Sequence, residues 1–448
     1  MSVMPDVGLG NQVASIVSSF LLAHLSSRTL LLYWPPEMSH SWDKLKDHIE
    51  FPKSSSGLIW QYEDIVRLVD DPIMLLRNTK RMLVNQETVI TDPETVEALM
   101  CKNITTFMQD SQFVFLTSNV HFYRFLEINP IYANLISNVF EDRDVFGQIA
   151  KFLIRPRPMI RTVLSDFVNS NLPSRTYVDP SSTIITKPND DTLVIGLHLR
   201  TGMDENNRDV AILFNHDRDA VLRAAQKCLP GTIKREHSVA SYRDVVVIVA
   251  CDNSRVRQKA LDELNRMPGI SKAVAYAPSK EASRGKTGMF YAVVDLFLLS
   301  QSDVILRSGK MTSMFTTLAA GLMIRGFSQP VYMAPVVTPT FYQCDTSERA
   351  CGVSLSRDTP KLGIMESVIT DHGNDRVGTC FGGAFNVSTL LRERRVLYPN
   401  CEELLSVDSE AFAVVLDGHV NGDDVYLDKV VYGTEHSGII DMIWGLFN

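Results

Sequence analysis

The second half of the chain alternates short apolar segments with helical patterns, and this alternation limits the possible folds more than any other feature. The apolar segments are short and bounded by turn residues, which is typical of buried strands. They cover residues 192–199, 244–251, 273–277, 303–308 and 330–335. Helical periodicity separates them, for example over 217–228 and 256–266. The pattern predicts a parallel sheet with helices on both faces, whose ligands bind beyond the carboxyl ends of the strands.

The first half opens with a glycine turn, an amphipathic helix and a short apolar strand. The turn contains Gly8 and Gly10 and continues into Asn11 and Gln12, and the strand reads RTLLLYW over 28–34. The start of a helix points free backbone N–H groups forward, which favours an anion. A turn that only reverses the chain explains a lone Gly-x-Gly equally well.

The length of the chain predicts more than one domain. Its 448 residues exceed the roughly 250–300 at which single cores stop growing. Residues 43–172 are mainly helical in pattern with few strand signals, and a linker rich in Pro, Ser, Thr and Asp follows over 174–191. We therefore predict a helix-rich first domain over 1–185, a second domain over 190–345 and an extension of unclear role over 346–448.

Charge and apolar patterning exclude some classes of protein. The net charge of -8 and the pI of about 5.7 argue against a general nucleic-acid-binding surface. The longest apolar stretch near the start, 16–25, is interrupted by serines and a histidine and is too short to span a membrane. The sequence shows no leader, and because a motif stands so close to its start we expect residues to be missing upstream. A membrane partner is expected only through such a missing anchor.

The cysteines favour disulfides over metal ligation. Seven cysteines include no Cys-x-x-Cys pair, and four of them lie between 344 and 401. This clustering would suit one or two disulfides in an oxidising compartment. Acceptor sequons begin at Asn103 and Asn386 and add weak support for a secretory location.

Polar side chains follow the first two strands of the second half. His198 and Arg200 end the first strand, and alternation places them on one side, where both could face a ligand. Arg200 could grip a diphosphate in fork geometry, or form a surface ion pair. His198 could equally be a core histidine bonded to backbone. Asp252 follows the second strand and could cap the next helix or bond a nucleotide's base or ribose.

A third group of polar residues surrounds the fourth strand. Asp295 lies on the preceding helix, and a hydroxyl-rich turn opens the next one, with Lys310 nearby. The hydroxyls and N–H groups could seat a phosphate, or could merely cap the helix. The members of this turn are Ser308, Thr312 and Ser313. The spacing is not that of a P-loop, and no cluster typical of a metal site is present, so we expect metal-free chemistry.

In this order, the segments resemble the fucosyltransferases with two facing Rossmann-like domains, and most of all the plant xyloglucan fucosyltransferase family. The strongest likeness lies in GLGNQ, RTLLLYW, IGLHLRTG, ACDNS and VDLFLLSQSDVILRSGKMTSMFTTLAAGL. Weaker likeness lies over 118–156 and 347–354, so that the resemblance spans about 7–355. It implies a GT-B-type α/β fold with a small C-terminal extension.

The resemblance also implies an activity. It is an inverting transfer of fucose from GDP-fucose to a sugar hydroxyl of a glycan or cell-wall polysaccharide in the Golgi or secretory lumen, without a cofactor or metal. Arg200 would be catalytic by engaging the donor's phosphates. The donor site would also contain the residues that match the family's motifs, which are Gly10, Asn11, Gln12, His198, Asp252, Asp295, Ser308, Thr312, Ser313 and Phe315.

Two departures from the family keep alternatives open. His198 stands where the plant enzymes generally have Gln, and a short insertion at 310–311 shifts the hydroxyl-rich turn. The acidic base of some relatives has no secure counterpart among Asp204, Glu205 and Asp209. A transferase that uses another nucleotide sugar such as GDP-mannose, and a non-catalytic glycan-binding protein, are the competing hypotheses.

Overall fold

The structure is a computed structural model, and it describes a defined part of the chain. The described residues are 2–3, 8–33, 45–52, 59–61, 79–84, 95, 98–99, 102–111, 113–118, 122–129, 131–140, 145–172, 175–180, 191–201, 218–239, 242–277, 288–309, 314–323, 330–338, 341–342 and 345–349. The predicted C-terminal extension therefore lies almost entirely outside them.

The first half of the chain folds around a five-stranded parallel sheet. The strands are β1 Ser2–Val3, β2 Leu30–Tyr33, β4 Ile59–Gln61, β5 Thr79–Val84 and β6 Phe113–Ser118. They lie in the order β4-β2-β1-β6-β5, and every neighbouring pair is parallel. Two further short strands pair in antiparallel orientation, β3 Ile49–Glu50 and β7 Arg155–Pro156.

The expectation of a mainly helical region with few strand signals missed β5 and β6. The apolar run at the start of β6 is too short for periodicity to separate a buried strand from a buried helix. β5 stands at the end of the strand order and begins Thr-Lys-Arg, so its apolar run is only three residues long. Edge strands commonly have such polar residues, and their local pattern is correspondingly weak.

Helices are present in both halves of the chain. Those of the first half are α1 Leu9–Leu25, α2 Ile104–Phe107, α3 Tyr123–Ile128, α4 Ala133–Val139, α5 Val145–Leu153 and α6 Pro158–Asn171. Those of the second half are α7 Arg218–Val239, α8 Ser254–Leu264, α9 Gly288–Leu299 and α10 Met314–Gly321. A 3₁₀ turn covers Leu45–Asp47.

The second half contains a seven-stranded sheet. Its strands are β8 Thr192–Leu199, β9 Asp244–Cys251, β10 Lys272–Val274, β11 Val304–Gly309, β12 Pro330–Thr338, β13 Phe341–Tyr342 and β14 Asp345–Arg349. The order β10-β9-β8-β11-β12 is parallel throughout, and β13 and β14 both pair with β12 in antiparallel orientation. The predicted alternating α/β architecture is confirmed.

Several predicted elements differ in length from those observed, and the strand predicted over 330–335, for example, continues to Thr338. The strand predicted over 273–277 is only three residues long, and the backbone turns at Ala277, which has φ 40°. The helix predicted over 217–228 instead continues through Pro230 to Val239. Leu229 and Ile233 pack in the core beyond the predicted end, so tertiary packing supports a helix that a proline rule would stop.

The side chains of the second sheet alternate between two buried faces. In β8, Leu193, Ile195 and Leu197 pack on the face covered by α7 and α8, whereas Val194 faces the cluster that includes α9 and α10. β9 divides its valines in the same way. A sheet that is covered on both faces needs near-continuous apolar strands, which is what made these segments readable in the sequence.

The two halves meet where α1 packs against α10. Apolar residues of α1, α5, α9 and α10 belong to one buried cluster. Gly10 is buried at this junction, and a Cβ added to it would lie 2.5 Å from the carbonyl carbon of Met314. The absence of a side chain at Gly10 is therefore required by the close approach of two helix starts.

No helix within the described ranges has the length and apolar character needed to cross a membrane. Cys228 of α7 is disulfide-bonded, whereas Cys251, at the end of β9, has a buried free thiol.

Candidate functional site

The site lies at the carboxyl edge of the second sheet, where the order of the strands reverses. The chain runs from β8 through β9 to β10 on one side and then returns to β11 and β12 on the other. Because the connections leave β8 and β11 in opposite directions, the topology predicts a ligand crevice between their carboxyl ends. Arg200 follows β8 directly, and the predicted donor loop follows β11. The structure therefore brings the end of β8 and the start of that loop to one crevice.

Arg200 and Asp252 form an ion pair at this edge. Leu199 and Cys251 are partners in the parallel register of β8 and β9, so the residues that follow them stand side by side. The Arg200 Nη1 atom lies 2.9 Å from Asp252 Oδ2, and the side chains are 44% and 10% exposed respectively. The interpretation of Arg200 as a member of a surface ion pair is therefore confirmed, while its contact with a diphosphate stays a prediction.

Thr201 also contacts Asp252. Its backbone N–H donates to Asp252 Oδ1 at 2.9 Å, and its hydroxyl donates to the same oxygen at 2.6 Å. Capping of α8 falls instead to Asn253, whose side chain accepts from the N–H of Val256. The interpretation of Asp252 as the helix cap is therefore wrong, since the neighbouring residue has that role.

His198 is buried behind Arg200 and faces α10. Its Nδ1 lies 2.6 Å from the hydroxyl oxygen of Thr316, and its ring lies 5.0 Å from the ring of Phe315. Burial lowers its pKa to about 3, with Asp252 opposing the shift and Arg200 and other arginines adding to it. His198 is therefore a neutral histidine that links the end of β8 to the first turn of α10, and its partner is a side chain rather than backbone.

Asp295 lies deeper, in contact with an arginine that sequence reasoning missed. The Nη2 atom of Arg257 lies 2.9 Å from Asp295 Oδ2, with the side chains 0% and 4% exposed. Arg257 also donates to two carbonyl oxygens, that of Cys251, the last residue of β9, and that of Tyr276, which follows β10. Burial raises the pKa of Asp295 to about 7, and Arg257 opposes that shift.

A sequence signal for Arg257 was present. It occupies the apolar face of α8, in helical spacing with Ala260, Leu261 and Leu264. A charged residue on a buried helical face requires a partner of opposite charge, and Asp295 of α9 supplies it. The family resemblance assigns the Asp295 carboxylate a contact with the nucleotide. That contact stays a prediction, whereas the bond between Asp295 and Arg257 is observed.

The glycine turn of the first half lies against α10. The backbone N–H groups of Asn11 and Gln12 both bond to the carbonyl oxygen of Gly8, so they belong to α1 itself and do not face a ligand. Gln12 is fully buried, Asn11 is partly exposed, and Gly10 abuts the backbone of Met314. The turn thus forms a wall beside the start of α10, and its contact with a donor stays a prediction.

The remaining predicted residues are only partly described. Ser308 lies in β11, with Leu199 and Ala334 as its register partners, and its side chain is not described. Phe315 is partly buried beside His198. The others lie outside the described residues, namely Lys310, Thr312, Ser313, Asp204, Glu205 and Asp209. Within the described ranges, no group of three or more His, Cys, Asp or Glu residues could hold a metal ion.

Comparison with known proteins adds information on the fold. No family model and no curated protein sequence matches this chain. Among solved structures, it is similar to a mutant of FUT1 from Arabidopsis thaliana in complex with GDP, with a TM-score of 0.51 and 15% identity over 74% of this chain and 69% of that one. The fucosyltransferase NodZ from Bradyrhizobium, at 15% identity over 77% of this chain and 98% of its own, has a TM-score of 0.43. With its parallel sheets and their strand order, the chain therefore has the Rossmann-like α/β fold of the GT-B-type glycosyltransferases.

Proposed function

We propose that this protein is an inverting fucosyltransferase that moves fucose from GDP-fucose to a sugar hydroxyl of a glycan or polysaccharide. The observation that carries the proposal is the partly exposed cationic side chain of Arg200 at the carboxyl end of β8, next to the switch point between β8 and β11. A diphosphate is the ligand class that such a cation suits at a switch point of this fold. The fold similarity to a GDP-bound plant structure supports the same conclusion.

In the proposed reaction, the acceptor hydroxyl attacks the anomeric carbon of fucose from the face opposite to GDP. The bond between that carbon and the phosphate oxygen breaks, its electron pair leaves with GDP, and the proton of the acceptor hydroxyl passes to solvent. Arg200 stabilises the negative charge that develops on the departing diphosphate, which lowers the barrier in the way that preorganised cations do. No base is assigned among the acidic residues that follow Arg200.

The other donor contacts are proposed from resemblance. His198 and Phe315 line the start of α10, where the hydroxyl-rich loop containing Ser308, Thr312 and Ser313 would hold the phosphates. Asp252 and Asp295 would lie on the nucleoside side, and the turn of Gly10, Asn11 and Gln12 would form the opposite wall. The reaction uses no metal or other cofactor in this proposal. A secretory location is supported by the disulfide of Cys228 together with the two sequons.

The experiment that tests the proposal is calorimetric titration of the protein with GDP, GDP-fucose and GDP-mannose, with and without EDTA. We expect GDP and GDP-fucose to bind equally well in EDTA, and GDP-mannose to bind more weakly. Tighter binding of GDP-mannose than of GDP-fucose would make GDP-mannose the donor. Loss of binding in EDTA would contradict the metal-free mechanism. Binding to a glycan array without any GDP binding would favour a non-catalytic glycan-binding protein.

A pair of variants tests the role of Arg200. Arg200→Ala should lower kcat by about 10²–10³-fold, because one stabilising group for the developing charge is lost. Arg266→Ala is the matched control, since Arg266 is an exposed arginine just beyond the far end of α8. Unchanged turnover of GDP-fucose in Arg200→Ala would remove Arg200 from the mechanism.

A further inference from the structure

The carboxylate of Asp252 is engaged by the chain segment that leaves β8. Oδ1 accepts two hydrogen bonds from Thr201, at 2.9 and 2.6 Å, and Oδ2 accepts one from Arg200 at 2.9 Å. Asp252 is only 10% exposed, and Thr201 is buried. Both oxygens therefore have protein donors, and Oδ1 accepts two hydrogen bonds, so this nearly buried carboxylate has little acceptor capacity left for a ribose or a base.

The parallel register makes this arrangement a property of the fold. Because Leu199 and Cys251 are register partners, Arg200 and Asp252 are adjacent whatever occupies the crevice. The two bonds from Thr201 fix the orientation of the carboxylate, and the carboxylate in turn fixes Nη1 of Arg200. Two positions from separate strands thus hold one cation.

The guanidinium of Arg200 retains most of its donors. It has five N–H groups, and the bond to Asp252 is its one hydrogen bond to the described residues. With 44% of its side chain exposed, the rest of the fork can meet an anion while Nη1 stays on Asp252. An arginine otherwise loses rotamer entropy when it is ordered. Prior orientation is therefore an advantage at the moment of reaction.

We infer that Asp252 is a positioning residue that aims Arg200 at the donor's diphosphate, and that it does not contact the nucleoside. This inference rests on the proposed function and replaces the nucleoside contact that resemblance assigns to Asp252. Removing the Asp252 charge has two opposite effects on binding of GDP. Arg200 loses its orientation, but an anion loses a repulsive neighbour, so the two effects offset each other in the ground state. In the transition state the orientation of Arg200 matters more, so removal of the Asp252 charge lowers kcat.

The variant Asp252→Asn isolates this role. Its side-chain oxygen can still accept from Thr201, while its amide replaces the acceptor of Arg200. We expect kcat with GDP-fucose to fall about 10–100-fold, as is typical when a partner that orients a functional group is lost. The Kd of GDP should change less than about 3-fold. In Arg200→Ala/Asp252→Asn, kcat should equal that of Arg200→Ala alone, because a residue that acts through Arg200 has no effect in its absence.

A ligand series separates positioning from direct contact. Titrations of the unmodified protein and Asp252→Asn use GDP, 2′-deoxy-GDP and inosine diphosphate. If Asp252 only positions Arg200, each altered nucleotide weakens binding by the same factor in both proteins. A smaller loss in Asp252→Asn, or a 10-fold weaker Kd of GDP with kcat unchanged, would show direct contact and overturn the inference. If the unmodified protein binds none of these nucleotides, the proposed function itself fails, and this inference falls with it.

Discussion

Two Arg–Asp pairs lie at the same edge of the second sheet and differ in their surroundings. Arg200–Asp252 and Arg257–Asp295 each join through one guanidinium nitrogen at 2.9 Å. The first arginine is 44% exposed and the second is fully buried. Removal of one partner of a buried ion pair strongly destabilises the folded protein. An exposed pair contributes only about 0–1 kcal/mol to the free energy of unfolding. The same two side-chain types thus stabilise the fold in the buried pair and stay accessible to a ligand in the exposed pair.

The largest effect should come from Arg257→Ala. Its removal leaves the Asp295 carboxylate and the carbonyl oxygens of Cys251 and Tyr276 buried without their cation. We expect the free energy of unfolding in urea to fall by about 3–5 kcal/mol. The double variant Arg257→Met/Asp295→Leu is the control, because an apolar pair of similar size should restore most of the loss. A loss below about 1 kcal/mol in Arg257→Ala would abolish the contrast between the two pairs.

The pH dependence of stability sharpens the contrast. The folded-state pKa of Asp295 is about 7, above the unfolded value of 3.8, because burial favours the neutral acid. Between these values the folded protein binds more protons, so stability falls as pH rises from about 4 to 7 and is constant above. Relative to Asp295→Asn, the unmodified protein should lose at most about 1.4 kcal/mol per pH unit in urea unfolding at pH 5, 6 and 7. A gain with rising pH would mean that Arg257 outweighs burial.

Two neighbouring glycines test whether the same contrast holds for uncharged contacts. Gly10→Ala places a Cβ against the backbone of Met314 and Phe315, whereas nothing lies within 4 Å of a Cβ at Gly8. We expect Gly10→Ala to lower the free energy of unfolding by about 1–3 kcal/mol, as overpacking does. Gly8→Ala is the control without a packing clash, and it should cost less than about 1 kcal/mol, because Gly8 is the N-cap of α1, where Ala is disfavoured. Equal stability of the two variants would show that the α1–α10 junction is not closely packed.

The smallest effect on stability should come from Arg200→Ala. Its ion pair is exposed enough that its loss should change the free energy of unfolding by less than about 1 kcal/mol, although activity falls strongly. Urea unfolding beside the turnover assay measures both quantities on one preparation. A stability loss as large as that of Arg257→Ala would show that Arg200 serves the fold.

Sequence reasoning located the second sheet and the residues at its edge. The strands predicted over 192–199 and 244–251 have the observed bounds, because a sheet buried on both faces requires continuous apolar runs. The rule that ligands bind at the carboxyl ends then singled out His198, Arg200 and Asp252. The first sheet was less visible, since β5 is a polar edge strand and β6 is too short to be distinguished from a helix.

The sequence by itself determined the alternation of strands and helices and the placement of polar residues at strand ends, because both depend on local periodicity. Only the tertiary structure decided that Asp252 bonds Arg200 and Thr201, that Arg257 neutralises Asp295, and that Gly10 meets Met314. These pairs join residues far apart in the chain, and their contacts depend on strand register and helix packing. Local patterns contain no record of either. Burial, which distinguishes the two Arg–Asp pairs, exists only once the sheet and its helices have packed.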